Sequence, residues 1–291
     1  MQTVIYRFQY FGFLILKSLF RISSKKFQNI FLNILTTIFY IVIRKYRKIV
    51  KKNLEIVFGK DYSEKNYQTI SKKCIRNLLI NIISVVENID RTSEDIKKIV
   101  EFENREVIEN ILNEGKSFIF SSGHFNNWEL LVTAVASQIS GGFGVAEKLK
   151  NPYMDHVLKN SRERFRITTV PLKGALRKLI KAIKMNQPIF IIMDQSVNIG
   201  QGVEKDFFNF SAIHSDINRF LSEKYDLYII PTYIRLEDGI YKVKFEEPFK
   251  SVDVGDSLER ELGILEDMVR NSPDEWLWCH RRWKNHKGIY S

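Results

Sequence analysis

The sequence predicts an α/β fold, a mixed sheet flanked by helices, carrying an apolar and basic segment at its N-terminus. Three observations lead there. From residue 117 onward, short apolar runs alternate with stretches of helical periodicity. The positive charge is confined to one end of the chain. And 291 residues with 44% hydrophobic content and no low-complexity run can bury a sizeable core.

The charge is informative once it is placed. The chain carries 45 Lys and Arg against 34 Asp and Glu, a net charge of +11. Between Met1 and Leu54 there is no acidic residue and there are eleven basic ones, so the remainder carries 34 of each sign. A neutral globular body with a basic, apolar front end results. Phe8–Leu16 and Phe27–Ile43 are uncharged runs, and they read as a membrane attachment. The second is 17 residues long and contains Gln28, Asn29, Asn33, Thr36 and Thr37, against the roughly 20 apolar residues of a spanning helix. It therefore fits a marginal span, a helix lying in the interface, or an amphipathic helix on the protein's own core. No small-residue cleavage site follows either run, which argues against a secretory signal. The cluster RKYRKIVKK at 44–52 suits anionic lipid on the cytoplasmic side. Nucleic acid is the competing partner, and the neutral remainder argues against it. The expected organisation is a membrane-anchoring segment over 1–54 and a catalytic domain over 55–291. Cys74 and Cys279 form no disulfide framework and fit a reducing compartment.

The elements follow in order. Ser63–Glu87 is predicted helical, with Ile70, Cys74, Leu78, Ile82 and Val85 at helical spacing. A short helix begins at Ser93, and another covers Glu106–Asn113, closed by Gly115. Ser117–Ser121 is a strand and 127–137 a helix. Gly141–Ala146 is a strand candidate, 151–164 helical, Ile167–Pro171 extended, and 174–186 helical. Pro188 introduces the apolar run Ile189–Met193, ending at Asp194. Leu227–Ile234 and Tyr241–Phe245 are further strands. Ser215 or Asp216 caps a helix from Ile217, and Ser257–Asn271 is the last helix.

The segment SFIFSSGHFNNWELL at 117–131 carries the chemistry. A buried strand runs into Ser-Ser-Gly and then His124, where α/β sheets gather functional groups. Asn126 and Asn127 can cap the helix that holds Glu129. With His124 in the loop and Glu129 in the first helical turn, the two side chains can converge. Imidazole is then the general base and the carboxylate fixes its tautomer. Glu129 also fits a capping box behind Asn126, and His124 a satisfied loop histidine. Asn127 and Asp194, at the same predicted sheet edge, are assigned to substrate binding. No GxSxG motif is present, and Cys279, His280 and His286 do not follow a zinc pattern, so neither a metal nor a cofactor is expected.

GHFNNWEL resembles the HFGNWEL-type segment of the bacterial lipid A biosynthesis acyltransferases, the late lauroyl and myristoyl transferases. KNLEIVFG at 52–59, KLKNPYMDHVLKNSRERF at 148–165, GALRKLIKAIKMNQPIFIIMDQS at 174–196 and PDEWLWCHRRWK at 273–284 are similar to its other segments, in order along nearly the whole chain. The resemblance implies an acyltransferase-like fold and transfer of a fatty acyl group from acyl carrier protein to a lipid A precursor. It places the enzyme at the cytoplasmic face of the cell inner membrane, in lipopolysaccharide biosynthesis. His124 would take the acceptor's proton, Glu129 would orient His124, and Arg162 or Arg164 would stabilise the oxyanion. Arg281, Arg282 and Lys284 would meet an anionic headgroup among Trp276, Trp278 and Trp283. One departure is that Phe207-Phe208 leads to SAIHSD rather than to a Pro-Thr-Gly-like stretch. His and Glu chemistry leaves the acceptor open, so another glycolipid or an aminolipid fits as well. A non-enzymatic membrane scaffold is the alternative from a different class.

Overall fold

The computed structural model describes residues 2–59 and 62–290. Three helices lead the chain: α1 (Gln2–Ile22), α2 (Lys25–Val42) and α3 (Arg44–Phe58). The Ser24 hydroxyl caps α2 by accepting from the Phe27 amide. Between α2 and α3 the axis bends by 86° at Ile43. No single helix among the described residues is long and apolar enough to cross a membrane, although this bent pair passes by length and composition. The apolar residues of α1 and α2 stay largely outside. Phe8, Phe11 and Ile22 are exposed on α1, as are Phe27, Ile30, Ile34, Ile38 and Ile41 on α2. α3 behaves differently: its Val50 and Leu54 enter the main core. The fold thus begins before residue 55, and the expected boundary there falls inside a helix.

α4 (Glu64–Asn88) packs on α2. Ile70 and Cys74 are buried as their spacing predicts, but Ile82 is 49% exposed. Beyond Cys74 the inward face of α4 turns polar and presents Asn81, Ser84 and Asn88. These satisfy buried groups of the next layer, so the apolar stripe is displaced toward solvent.

The sheet is assembled from α5 (Ser93–Lys97), β1 (Val100–Glu103), α6 (Glu106–Asn113), β2 (Ile119–Ser122), α7 (Trp128–Gln138), β3 (Gly142–Ala146), α8 (Pro152–Glu163), β4 (Ile167–Pro171), α9 (Ala175–Lys184) and β5 (Ile189–Ile192). A hairpin of β6 (Val203–Phe207) and β7 (Phe210–His214) follows, then α10 (Ile217–Tyr225), β8 (Ile229–Glu237), β9 (Ile240–Phe245) and α11 (Ser257–Asn271). Seven strands form one sheet in the order β1-β9-β8-β2-β5-β3-β4. The pair β8–β9 is antiparallel and the other pairs are parallel. The expected α/β class and mixed sheet are therefore present. β1 and the hairpin had no sequence signal: β1 is four residues long, and VEKDF holds three charges in five positions.

Strand alternation sorts the core onto both faces. Ile119, Ile189, Ile191, Ile229 and Tyr233 meet α9, α10, α11 and the C-terminal tryptophans. Phe120, Phe190, Ile230 and Ile234 point the other way, against α5, α6 and α7.

Candidate active site

The position of the site follows from register. β2 and β5 are parallel neighbours, with Ser122 opposite Ile192. Two residues past each of these lie His124 and Asp194, so both leave the sheet at the same edge and at the same height. The Met193 amide donates to the Ser122 carbonyl at 2.8 Å, which carries the pairing one step beyond the strands. Gly123 fits between them because a Cβ there would lie 2.9 Å from Leu265 Cδ1 and 3.1 Å from the Phe125 ring.

Asp194 grips His124 twice. Its Oδ1 lies 2.7 Å from His124 Nδ1, and its Oδ2 accepts the His124 backbone amide at 2.8 Å. The same Oδ2 accepts the Trp276 indole N–H at 2.8 Å. Asp194 is buried, at 3% exposure. Burial alone would raise its carboxyl, but the charge and hydrogen bonds of His124 and the Trp276 indole outweigh it and hold the pKa at about 2. An ionised Asp194 on Nδ1 fixes the proton there, so Nε2 presents its lone pair outward. Gln195 Nε2 sits 3.5 Å from that nitrogen, and the Trp128 ring meets the imidazole edge-on at 5.0 Å.

The closing segment walls the loop. Asn126 N donates to the Glu275 carbonyl and Leu277 N to the His124 carbonyl, at 2.8 and 3.0 Å. Asn126 itself adopts the left-handed φ of 39° that asparagine tolerates, and its Nδ2 holds Glu275 Oε1 at 2.8 Å. From the other side, Asn81 on α4 donates to the Asn126 carbonyl at 2.7 Å and accepts the Glu129 amide at 3.0 Å. His280 Nε2 accepts the Ser196 amide at 3.3 Å. Burial lowers His280 to a pKa of about 4, which keeps it a neutral acceptor.

The residues expected from sequence separate into distinct roles. Glu129 does not orient His124. Its carboxylate forms a fork with Arg162, Nε to Oε2 at 3.2 Å and Nη2 to Oε1 at 2.6 Å. The strand register had already brought Asp194 to the imidazole. Arg164, one of the two oxyanion candidates, donates instead to the carbonyls of Ile89 and Arg91 and ties the end of α8 to the end of α4. Asn127, expected at the substrate, is 2% exposed. Its Oδ1 caps α7 at Leu130 and its Nδ2 donates to Ser84 Oγ, so both polar atoms of its side chain are engaged inside the protein. Arg282, expected at a lipid headgroup, is fully buried. It donates to His214 Nδ1 and stacks over Phe207, 4.9 Å from the ring centre. Arg281 and Lys284 are exposed. Trp276, Trp278 and Trp283 are core residues, and Trp276 has the added task of holding Asp194. Asn81 and Trp276 carried no site signal in the sequence beyond polarity on an apolar helix and an aromatic-rich tail.

Chemically, the arrangement offers an oriented base at the sheet edge and, on α8, a guanidinium held in plane by Glu129. Cys74 and Cys279 hydrogen-bond to each other, and that bond together with burial pushes the Cys279 thiol up, away from the thiolate a nucleophile needs. Among the described residues no three His, Cys, Asp or Glu side chains converge as a metal site.

The profile of the family described as "Bacterial lipid A biosynthesis acyltransferase" matches residues 1–285. Among solved structures, the 1-acyl-sn-glycerophosphate (LPA) acyltransferase PlsC from Thermotoga maritima is similar at 14% identity and a TM-score of 0.41. That alignment covers 86% of this chain and 97% of PlsC. Comparison with curated proteins gives no match. With nearly its whole length inside the family profile, the chain belongs to the bacterial lipid A biosynthesis acyltransferases and is an enzyme that transfers acyl groups other than aminoacyl groups.

Proposed function

We propose that the enzyme moves a fatty acyl chain from the thioester of acyl carrier protein to a hydroxyl of a lipid A precursor, with His124 as general base and Asp194 as its orienting partner. The observation that carries this is the Asp194–His124 couple at the sheet edge, with Nδ1 held by Asp194 and Nε2 facing only the exposed Gln195 amide at 3.5 Å. Nε2 takes the proton of the acceptor hydroxyl as its oxygen bonds to the thioester carbonyl carbon. The tetrahedral oxyanion then collapses, the carbon–sulfur bond breaks, and the leaving thiolate recovers the proton from Nε2. No covalent enzyme intermediate enters. The imidazolium formed midway is stabilised by the ionised Asp194. Arg162 is the oxyanion donor in this scheme: Glu129 engages its Nε and Nη2, which fixes the guanidinium plane and leaves Nη1 for the substrate.

The lipid acceptor is reached from the membrane surface at the cytoplasmic face of the inner membrane. The exposed stripe Ile30, Ile34, Ile38 on α2 repeats every four residues and suits a helix lying in the interface. α1 carries its own exposed aromatics and rests on the start of α8, where Asn151 Nδ2 donates to the Tyr6 carbonyl at 3.1 Å and Tyr10 stacks on Tyr153 at 5.6 Å. Residues 1–54 thus serve as the membrane segment even though α3 also belongs to the core.

The test is product analysis with purified full-length enzyme, acyl carrier protein charged with a fatty acid, and a lipid A precursor. The expected product is the precursor heavier by one acyl group, linked by an alkali-labile ester. Transfer to another lipid but not to this precursor overturns the acceptor, and no transfer to any lipid hydroxyl overturns the reaction.

A further inference from the structure

The sheet edge that holds His124 and Asp194 continues past β5. β3 pairs with β5 and β4 with β3, both parallel, so all four strands end on the same side. Where β3 and β4 end, a cleft of about 430 Å³ opens between residues 147–148, α8 and the start of α9. Lys148, Lys159, Arg162 and Lys178 line it, with His156 and Thr169. Arg162 is committed to Glu129 and Lys159 to Glu163. Lys148 and Lys178 have no carboxylate partner among the described residues, and the buried Thr169 hydroxyl has no hydrogen-bond partner there either. The cleft also contains Glu147 and Asp155; Asp155 is engaged by the Leu149 amide at 2.9 Å. The surroundings favour an anion further: from Arg164 to Met193 the chain has no acidic residue and seven basic ones. Exposed Lys173, Arg177 and Lys181 continue the charge outside the cleft.

We propose that this cleft is a subsite for the phosphate ester of a substrate, held by Lys148 and Lys178. The inference deepens the proposed acyl transfer and rests on it. Two flexible ammonium groups lining one concavity, together with an unpartnered hydroxyl, suit a tetrahedral dianion. A convex basic helix face would suit a lipid surface, but these two lysines share a recess. Neighbouring strands lie about 4.8 Å apart, so β3 and β4, second and third from β2, place the cleft roughly 10–15 Å along the edge from His124. A substrate reacting at His124 would therefore carry its phosphate at that distance from the reacting atom. The phosphopantetheine arm of the carrier protein and a phosphorylated glucosamine lipid both meet this requirement, and they share the phosphate ester.

The experiment is calorimetric binding to the full-length enzyme and to Lys148→Gln, Lys178→Gln and the double variant, with Lys97→Gln as a distant control. The probes are 4′-phosphopantetheine against pantetheine, and glucosamine 1-phosphate against glucosamine. The expected result is that at least one phosphorylated probe binds about tenfold or more tightly than its phosphate-free counterpart, as charge-assisted contacts imply. The double variant should lose that preference while Lys97→Gln keeps it. Preference for 4′-phosphopantetheine assigns the cleft to the donor, and preference for glucosamine 1-phosphate assigns it to the acceptor. Phosphorylated probes that bind no better than their counterparts, or a preference that survives in the double variant, overturn the subsite. Because binding is read without turnover, an enzyme that prefers phosphate yet transfers no acyl group would sink the proposed reaction and leave the subsite standing. An enzyme that transfers acyl groups without any such preference would sink the subsite alone.

Discussion

Replacing Asp194 by Asn tests the geometry at single-atom level. Oδ2 receives two donors, the His124 amide and the Trp276 indole, whereas Oδ1 faces only the imidazole Nδ1. An asparagine amide cannot put its NH2 against two N–H donors, so its oxygen must take the Oδ2 position and its NH2 must face Nδ1. Nδ1 then becomes an acceptor and the proton moves to Nε2, the nitrogen that must be free. The fold should be kept, because the Oδ2 hydrogen bonds survive. The base is lost in its working tautomer, and the analogous change in serine proteases lowers kcat by about 10⁴. The prediction is a kcat reduced by roughly 10³–10⁴ with KM for the acyl donor within a few-fold of wild type. Steady-state kinetics over donor concentration, with circular dichroism to check the fold, measures it. A folded Asp194→Asn enzyme within tenfold of wild-type kcat would refute the tautomer argument.

Other outcomes follow from the same contacts. Arg162→Lys keeps the charge but loses the planar fork held by Glu129, and should lower kcat by about 10² with little change in KM. Arg164→Lys, whose partners are backbone carbonyls, should stay within a few-fold, and the reverse ranking in steady-state kinetics would exchange the two roles. Substituting Asn for Ile30, Ile34 and Ile38 removes three apolar side chains worth on the order of 2 kcal/mol each in the interface, so liposome flotation should fall more than tenfold. Undiminished flotation of the soluble triple variant would place the attachment elsewhere. Glu261, buried under β2 and bonded by Ser121 and by Asn218 at 2.7 Å, is pushed up by burial to about 7. Its folded pKa lies above the model-peptide value of 4.5, so the folded state binds the extra proton between these values. Stability should therefore fall as pH rises from about 4.5 to 7, by roughly 3 kcal/mol. Denaturant titrations should show Glu261→Gln losing most of that slope, and an unchanged slope would remove Glu261 as its source.

The elements of the sheet were largely legible because its strands are apolar runs and its helices amphipathic. α6 and α11 end where periodicity, Gly115 and capping residues predict. What failed did so for non-local reasons. The spacing of His124 and Glu129 is visible in sequence, but Asp194 lies 70 residues away, and only the β2–β5 register brings it to the imidazole. Its place at the same edge could be read from the apolar run before it; its partner could not. Arg282 shows the opposite error. A basic residue among tryptophans reads as a headgroup contact, whereas the fold buries it against His214 and Phe207. Burial lowers its pKa to about 10, even with the buried Asp194 charge acting in the opposite direction. Along α4 the inward stripe changes from apolar to polar partway, because it supports backbone of the site loop as well as core. Counting apolar periodicity places Ile82 inside for that reason.

In the proposed mechanism the Nε2 nitrogen of His124 removes the acceptor's proton during acyl transfer. The direct measurement is the single-turnover rate of transfer from charged acyl carrier protein to the lipid A precursor, compared between wild type and His124→Ala at saturating donor. Loss of a general base lowers the rate by about 10²–10⁴, with donor binding preserved. A folded His124→Ala enzyme that transfers acyl chains within threefold of the wild-type rate would rule out His124 as the base.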